Sequence, residues 1–161
     1  MPFVYNVMPG VNFTTSATPN TEIDALFIAP GTKTLTVMSV TMGGKGAALT
    51  FLSGIVQRIK RWTTTASAGG TAITPSPRMQ TGSAAKATAG QATAGVTPGT
   101  GGPILQGLIT CSGSGPGNGW NWLNNPDTAI EVDGGATQSI DLFNSSGTAS
   151  MVFETAVDIQ E

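Results

Sequence analysis

Histidine is absent from this sequence, and cysteine occurs once. The first absence removes Ser-His-Asp and Cys-His catalytic arrangements together with the commonest metal ligand. The second excludes an internal disulfide, so the chain is expected to fold in a reducing cytoplasm without covalent staples. Cys111 lies in an apolar stretch and reads as a small buried hydrophobe rather than a reactive thiol. Charge is also scarce: charged residues make 10% of the chain, against about 25% in ordinary globular domains. The net charge of −2 provides no basic field for nucleic acid or an anionic membrane. No apolar run approaches the length of a transmembrane helix. Residues 1–9 lack the basic start and apolar centre of a signal peptide. These shortages together imply no enzyme, no cofactor and no metal.

What the chain has instead is glycine, proline, threonine and serine between short apolar clusters. With 22 glycines and 10 prolines among 161 residues, it stays below the composition of a disordered chain. One domain of this length can bury roughly 70% of its unfolded surface. Short apolar clusters cut by turn residues point to an all-β, single-domain antiparallel β-sandwich or jelly roll, with long Gly/Ala/Thr loops.

Along the chain, residues 3–8 (FVYNVM) read as a first strand and residues 12–20 as a Thr-rich extended arm, so residues 1–21 stand apart from a sandwich domain over 22–161. Residues 22–29 alternate, with Ile23, Ala25 and Phe27 on one side and Asp24, Leu26 and Ile28 on the other. Pro30-Gly31-Thr32 is a turn, and residues 33–42 form the next strand, making 22–42 a hairpin. The apolar alternation of that strand shifts near Met38, which predicts a bulge or two-sided burial. Residues 47–54 (AALTFLSG) have the spacing of a short helix. The preceding GGKG lacks the spacing of a phosphate loop.

The distinctive stretch is residues 55–77, IVQRIKRWTTTASAGGTAITPSP. Its strand puts Ile55, Gln57, Ile59 and Arg61 on one face, and Val56, Arg58, Lys60 and Trp62 on the other. Three of the seven basic residues fall within four positions here. Arg58, Lys60, Arg61 and Trp62 are candidates for contact with a neighbouring subunit, where arginine and tryptophan are enriched. Counter-charges on Glu22, Asp24 or Asp141 would neutralise them within a sheet. Residues 76–102 are low in complexity and read as a long loop excursion.

Strands resume over 104–111. Trp120 and Trp122 flank Asn121 on one strand face, where they either stack on a sugar ring or plug the sandwich end. Glu131 and Asp133 share a strand face, as a calcium site or a solvated edge. Residues 151–159 alternate cleanly, with Met151, Phe153, Thr155, Val157 and Ile159 inward.

The order IVQRIKRWTTTASAGGTAITPSPR, an Ala/Thr/Gly excursion, ITCSGSGPGNGWNW, NPDTAIEV and GGATQSIDLFNSSGTASMVFETAVDIQE resembles tailed-bacteriophage head decoration (cement) proteins. The resemblance covers most of residues 22–161. It implies a β-sandwich or jelly-roll module, trimeric, made in the host bacterial cytoplasm and bound to the major capsid protein on the virion exterior. Arg58, Lys60, Arg61, Trp62, Trp120 and Trp122 would then lie at subunit or capsid contacts. The first twenty residues fall outside it and would reach a neighbouring subunit. Two other classes stay open: a glycan- or host-receptor-binding module of a phage head or tail fibre, and a plain coat or tail-tube subunit.

Overall fold

The last strand is the axis of one of two sheets. A computed structural model describes residues 2–45, 54–80, 82–102, 104–112, 119–123, 129–135, 137–146 and 152–161. Within it β13 (Val152–Gln160) lies between β4 (Leu35–Lys45) and β1 (Val4–Val7). Its alternation is fully expressed: Phe153, Thr155, Val157 and Ile159 are buried and the residues between them are half-exposed. Outside β1 lies β7 (Ser76–Pro77), and outside β4 lie β10 (Gly119–Leu123) and β11 (Ile130–Val132). A two-residue strand, β2 (Phe13–Thr14), pairs with the start of β13. This first sheet has seven strands.

The second sheet has six, in the order β6 (Ala68–Ile73), β8 (Thr88–Thr97), β3 (Ile23–Ala29), β12 (Ser139–Ser146), β5 (Gly54–Trp62) and β9 (Ile104–Ser112). All strand pairs in both sheets are antiparallel. The main core joins Tyr5, Val37, Val40, Val157 and Ile159 of the first sheet to Leu26, Ile28, Ile59, Ile140 and Leu142 of the second. The fold is therefore an antiparallel β-sandwich closed on one apolar interior. A smaller cluster of Phe13, Ala25, Met42 and Phe153 fills one end, with the two rings stacked 5.5 Å apart. Near it, Gln57 Nε2 donates to Thr155 Oγ1 across the interior at 3.3 Å.

The bulge expected near Met38 is present. Asp158 pairs with Ser39 and Ile159 with Val37, so Met38 is the extra residue. That slip lets Leu35, Val37, Val40 and Met42 all face inward.

Three expectations are corrected. Residues 22–42 are not a hairpin: β3 belongs to the second sheet and β4 to the first. The turn at Pro30 carries the chain across the sandwich rather than back along the same sheet. The 76–102 excursion is not a loop throughout, because β8 occupies it and sits between β6 and β3. Its small residues are what the position demands. A Cβ at Gly90 would run into the Phe27 ring, while Ala87 and Ala89 are buried in the core. Finally, the segment expected to reach out as an arm is built into the first sheet through β1 and β2. The helix expected at 47–54 falls at residues 47–53 outside the described residues, and Gly54 opens β5. Among the described residues there is no helix.

Candidate functional site

β5 places its side chains as the alternation predicts. Gln57 and Ile59 point into the sandwich and are fully buried, whereas Arg58, Lys60 and Trp62 lie on the outer face of the second sheet. Arg61, on the inward side of the alternation, reaches past the end of the core to donate from Nη1 to the Glu131 carbonyl at 3.1 Å, linking the two sheets.

The outer basic pair is not free. Glu22, just before β3, accepts from Arg58 Nη1 at 2.5 Å and from Lys60 Nζ at 2.8 Å. Burial alone would push the Glu22 carboxyl up, but the hydrogen bonds and charges of Lys60 and Arg58 outweigh it and hold it below the usual value. Lys60 Nζ also sits 3.9 Å from the Phe143 ring centroid. Trp62 meets the same ring edge-on at 6.1 Å.

This face is covered by two loops of the protein itself. Thr63 and Thr64 donate to the carbonyls of Gly101 and Thr100 at 3.2 and 3.0 Å, and Thr100 donates back to Thr65 at 2.9 Å. Gly99 is pressed against Trp62 so closely that a Cβ there would overlap the indole. Below the loops lies a buried polar relay. The Gly99 amide donates to Ser67 Oγ at 2.7 Å, and Ser67 Oγ donates in turn to Asp141 Oδ2 through a short bond. The Ser67 amide donates to Ser139 Oγ at 3.0 Å, and Ser139 Oγ donates to Asp141 Oδ1 at 2.9 Å. Asp141 is fully buried and both of its oxygens are occupied.

Asp24 joins the same cluster through a backbone irregularity. The β3–β12 register slips so that Leu26 pairs with Leu142 and Asp24 with Phe143, leaving Ala25 as the extra residue. Plain alternation puts Asp24 on the core side with Leu26; the bulge puts it on the outer side, against Asp141. Both Asp24 carboxyl oxygens are buried with no donor among the described residues. Burial first, then the charge of Asp141, pushes the Asp24 carboxyl up to about 9.

On the outer face of the first sheet, Arg78 reaches in from just beyond β7 to bond Asp158. The register of that sheet lines up Leu123, Ser39, Asp158 and Asn6 in one row across β10, β4, β13 and β1. The adjacent row runs from Asn121 through Thr41 and Ala156 towards Met8. Asp158 accepts from Arg78 at 2.7 Å on each oxygen, from Asn6 at 2.9 Å and from Ser39 at 3.0 Å. Partial burial raises its carboxyl, but the Arg78, Asn6 and Ser39 hydrogen bonds prevail and hold it below the usual range. Met8 and Leu123 are 60% and 67% exposed. Met8, Thr41, Gly43, Glu154 and Ala156 line a shallow groove of about 190 Å³.

Of the residues singled out from sequence, Arg58, Lys60 and Trp62 come together on one face, with Glu22 as the counter-charge. Arg61 lies apart from them. Trp120 and Trp122 are register partners of Met42 and Val40 on β4, which are buried, and so belong to the other sheet. Ser67, Ser139 and the short Arg78–Asp158 pairing were not singled out; their partners are 72 to 80 positions away in sequence. Among the described residues no group of three or more Cys, Asp or Glu side chains is arranged to hold a metal ion.

No protein-family model matches the chain, and no curated protein matches it. Among solved structures, the chain is similar to infectious bursal disease virus, Gx strain, at TM-score 0.38 and 9% identity, covering 99% of this chain and 32% of that one. It is also similar to the VP2 subviral particle of infectious bursal disease virus, at TM-score 0.26 and 14% identity, covering 99% and 41%. The chain thus spans between 32% and 41% of the length of those chains. These scores lie below shared topology, so function is argued from the surfaces described above.

Proposed function

We propose that the protein is a non-catalytic structural component of a virus particle, a decoration protein that binds the outside of the capsid and bridges adjacent coat subunits. The observation that carries this reading is the pair of exposed apolar side chains, Met8 and Leu123, on the outer face of the first sheet. On the second sheet, the loops at 63–65 and 100–101 are bonded to each other beside Trp62, and Glu22 pairs with both Arg58 and Lys60. The first sheet presents a broad face of small residues with Met8 and Leu123 standing out of it, next to the polar Asn6–Asp158–Arg78 row. Exposed apolar side chains set beside hydrogen-bonded polar ones are a mix found at protein-binding surfaces. The phage-like layout of the sequence agrees with it. The sugar-platform alternative draws no support from the register of residues 120 and 122.

Mechanically, a protein that binds only the assembled shell stabilises it by mass action, by about 2.7 kcal/mol per site at a concentration a hundredfold above Kd. The test is to add the protein to purified capsids of the source virus lacking it and follow heat disruption. Disruption temperature should rise with occupancy, and a Met8→Lys/Leu123→Lys variant should bind less and protect less. Shells that melt at the same temperature with and without the protein would overturn the reading.

A further inference from the structure

We propose that the interior of the sandwich is a binding site for a structural water molecule, held by the side-chain carbonyls of Gln57 and Asn144 between the two apolar clusters. Gln57 on β5 and Asn144 on β12 are register partners, and both are fully buried. Asn144 follows Ile140 and Leu142 on the inward side of β12, as Gln57 precedes Ile59 on that of β5. Thr155 comes from the other sheet, between Phe153 and Val157 on the inward side of β13. The register partner of Thr155 is Met42, and that of Asn144 on its other side is Ile23. The three polar side chains therefore divide the main core, at Leu142, Ile59 and Val157, from the small cluster of Phe153 and Met42 with Ile23 packed against it.

Donors and acceptors in this layer do not balance. Thr155 Oγ1 gives its hydrogen to the Thr41 carbonyl at 3.2 Å, so towards Gln57 it can only accept, and Gln57 Nε2 donates to it at 3.3 Å. Asn144 Nδ2 donates to the Leu142 carbonyl at 3.3 Å, and turning that amide over would set two carbonyl oxygens against each other. Both amide orientations are thus fixed by their neighbours. Gln57 Oε1 and Asn144 Oδ1 are left buried with no donor among the described residues. A buried acceptor without a donor costs the full desolvation of that group.

A water molecule supplies the two missing donors. In an antiparallel pair the Cβ atoms of facing residues lie about 4.5–5.5 Å apart, which brings both carbonyl oxygens within reach of one molecule of that size. A cation is excluded by charge. Asp141 is the one charged residue among the buried described residues, and it lies three positions from Asn144, on the opposite face of β12. A cation between the two amides would be a buried charge without a counter-charge. With its water, the Gln57–Asn144–Thr155 layer is a polar seam joining both sheets, and it accounts for an apolar interior that is split in two. Because all three side chains are buried, the bound molecule leaves only when the sandwich opens, and its residence is long.

Cross-relaxation between water and methyl hydrogens, read by NMR on the full chain, tests this directly. Methyl hydrogens do not exchange with solvent, so a water cross-peak on them reports contact through space. In the wild type the methyls of Leu142 and Ile59, which flank the two amides, should show cross-peaks of opposite sign in the laboratory and rotating frames, the signature of a long-lived bound water. Gln57→Met/Asn144→Leu removes both acceptors at similar side-chain volume and should abolish those cross-peaks. Their absence from the wild type, or their persistence in the double variant, would overturn the proposal. If the double variant fails to fold, a high-resolution crystal structure of the wild type decides. A solvent peak within hydrogen-bonding distance of both carbonyl oxygens supports the site; a dry interior, a coordinated cation or a direct bond between the two amides refutes it.

Discussion

Removal of the Phe13 ring should destabilise the whole sandwich, although the residue lies in a segment whose sequence reads as an arm. Phe13 is 4% exposed and stacks on Phe153 at 5.5 Å with an interplanar angle of 29°. Met42 and Ala25 complete its pocket. Truncating a buried phenylalanine to alanine costs about 3–5 kcal/mol. The lower end is expected here, about 3 kcal/mol, because β2 pairs with β13 only at Val152 and Phe153 and can partly detach to relieve the cavity. The ring pair itself should contribute about 0.5–1.5 kcal/mol beyond its area, which a double-mutant cycle of Phe13→Leu with Phe153→Leu isolates. Urea denaturation of the four proteins of the cycle and of Phe13→Ala, with m-values checked for constancy, supplies the numbers. A Phe13→Ala cost below about 0.5 kcal/mol, with no coupling to Phe153, would refute the docking of this segment and restore the arm.

The pH dependence of global stability should have two limbs of opposite cause. Glu22 and Asp158 are held below their ordinary values, so their contribution is present above about pH 4.5 and is lost as pH falls through their folded values. Asp24 is raised, so its contribution declines as pH climbs from about 4 to 9. Melting temperature should therefore peak in the weakly acidic range, and Asp24→Asn should flatten only the alkaline limb; a maximum at pH 8 or above would contradict this. Gly90→Val should overpack against Phe27 and cost about 1–3 kcal/mol, measured by thermal unfolding. Leu123→Lys, on an exposed face, should leave stability within about 0.5 kcal/mol while weakening capsid binding in a pelleting assay.

The parts of the fold legible in sequence are those where side-chain size follows the pleat. The alternation expected over 151–159 identifies an inward face from Phe153 onwards, Met151 lying outside the described residues, and the shift near Met38 marks a real bulge. The face shared by Arg58, Lys60 and Trp62 follows from period two alone, and Glu22 was among the expected counter-charges. β8 was not legible because its position requires small residues: the burial there belongs to Phe27 and the core around Ala89. The turn at Pro30 is local chemistry and carries no information on whether its flanking strands pair or pack across a sandwich. Asp24 was assigned to the wrong side because one extra residue, Ala25, inverts every position beyond it. The Asp141 relay depends on pairing β12 with β5 and on the loop that follows β5, a long-range arrangement with no local signature.

Whether the protein belongs to a virus particle at all is settled most directly by its copy number in purified virions of the source virus, relative to the major coat protein. A decoration role predicts copies comparable to the coat subunit, removed when Met8 and Leu123 are both replaced by lysine. A few copies per particle would contradict decoration and indicate a fibre or vertex component, and complete absence would contradict any place for the protein in the virion.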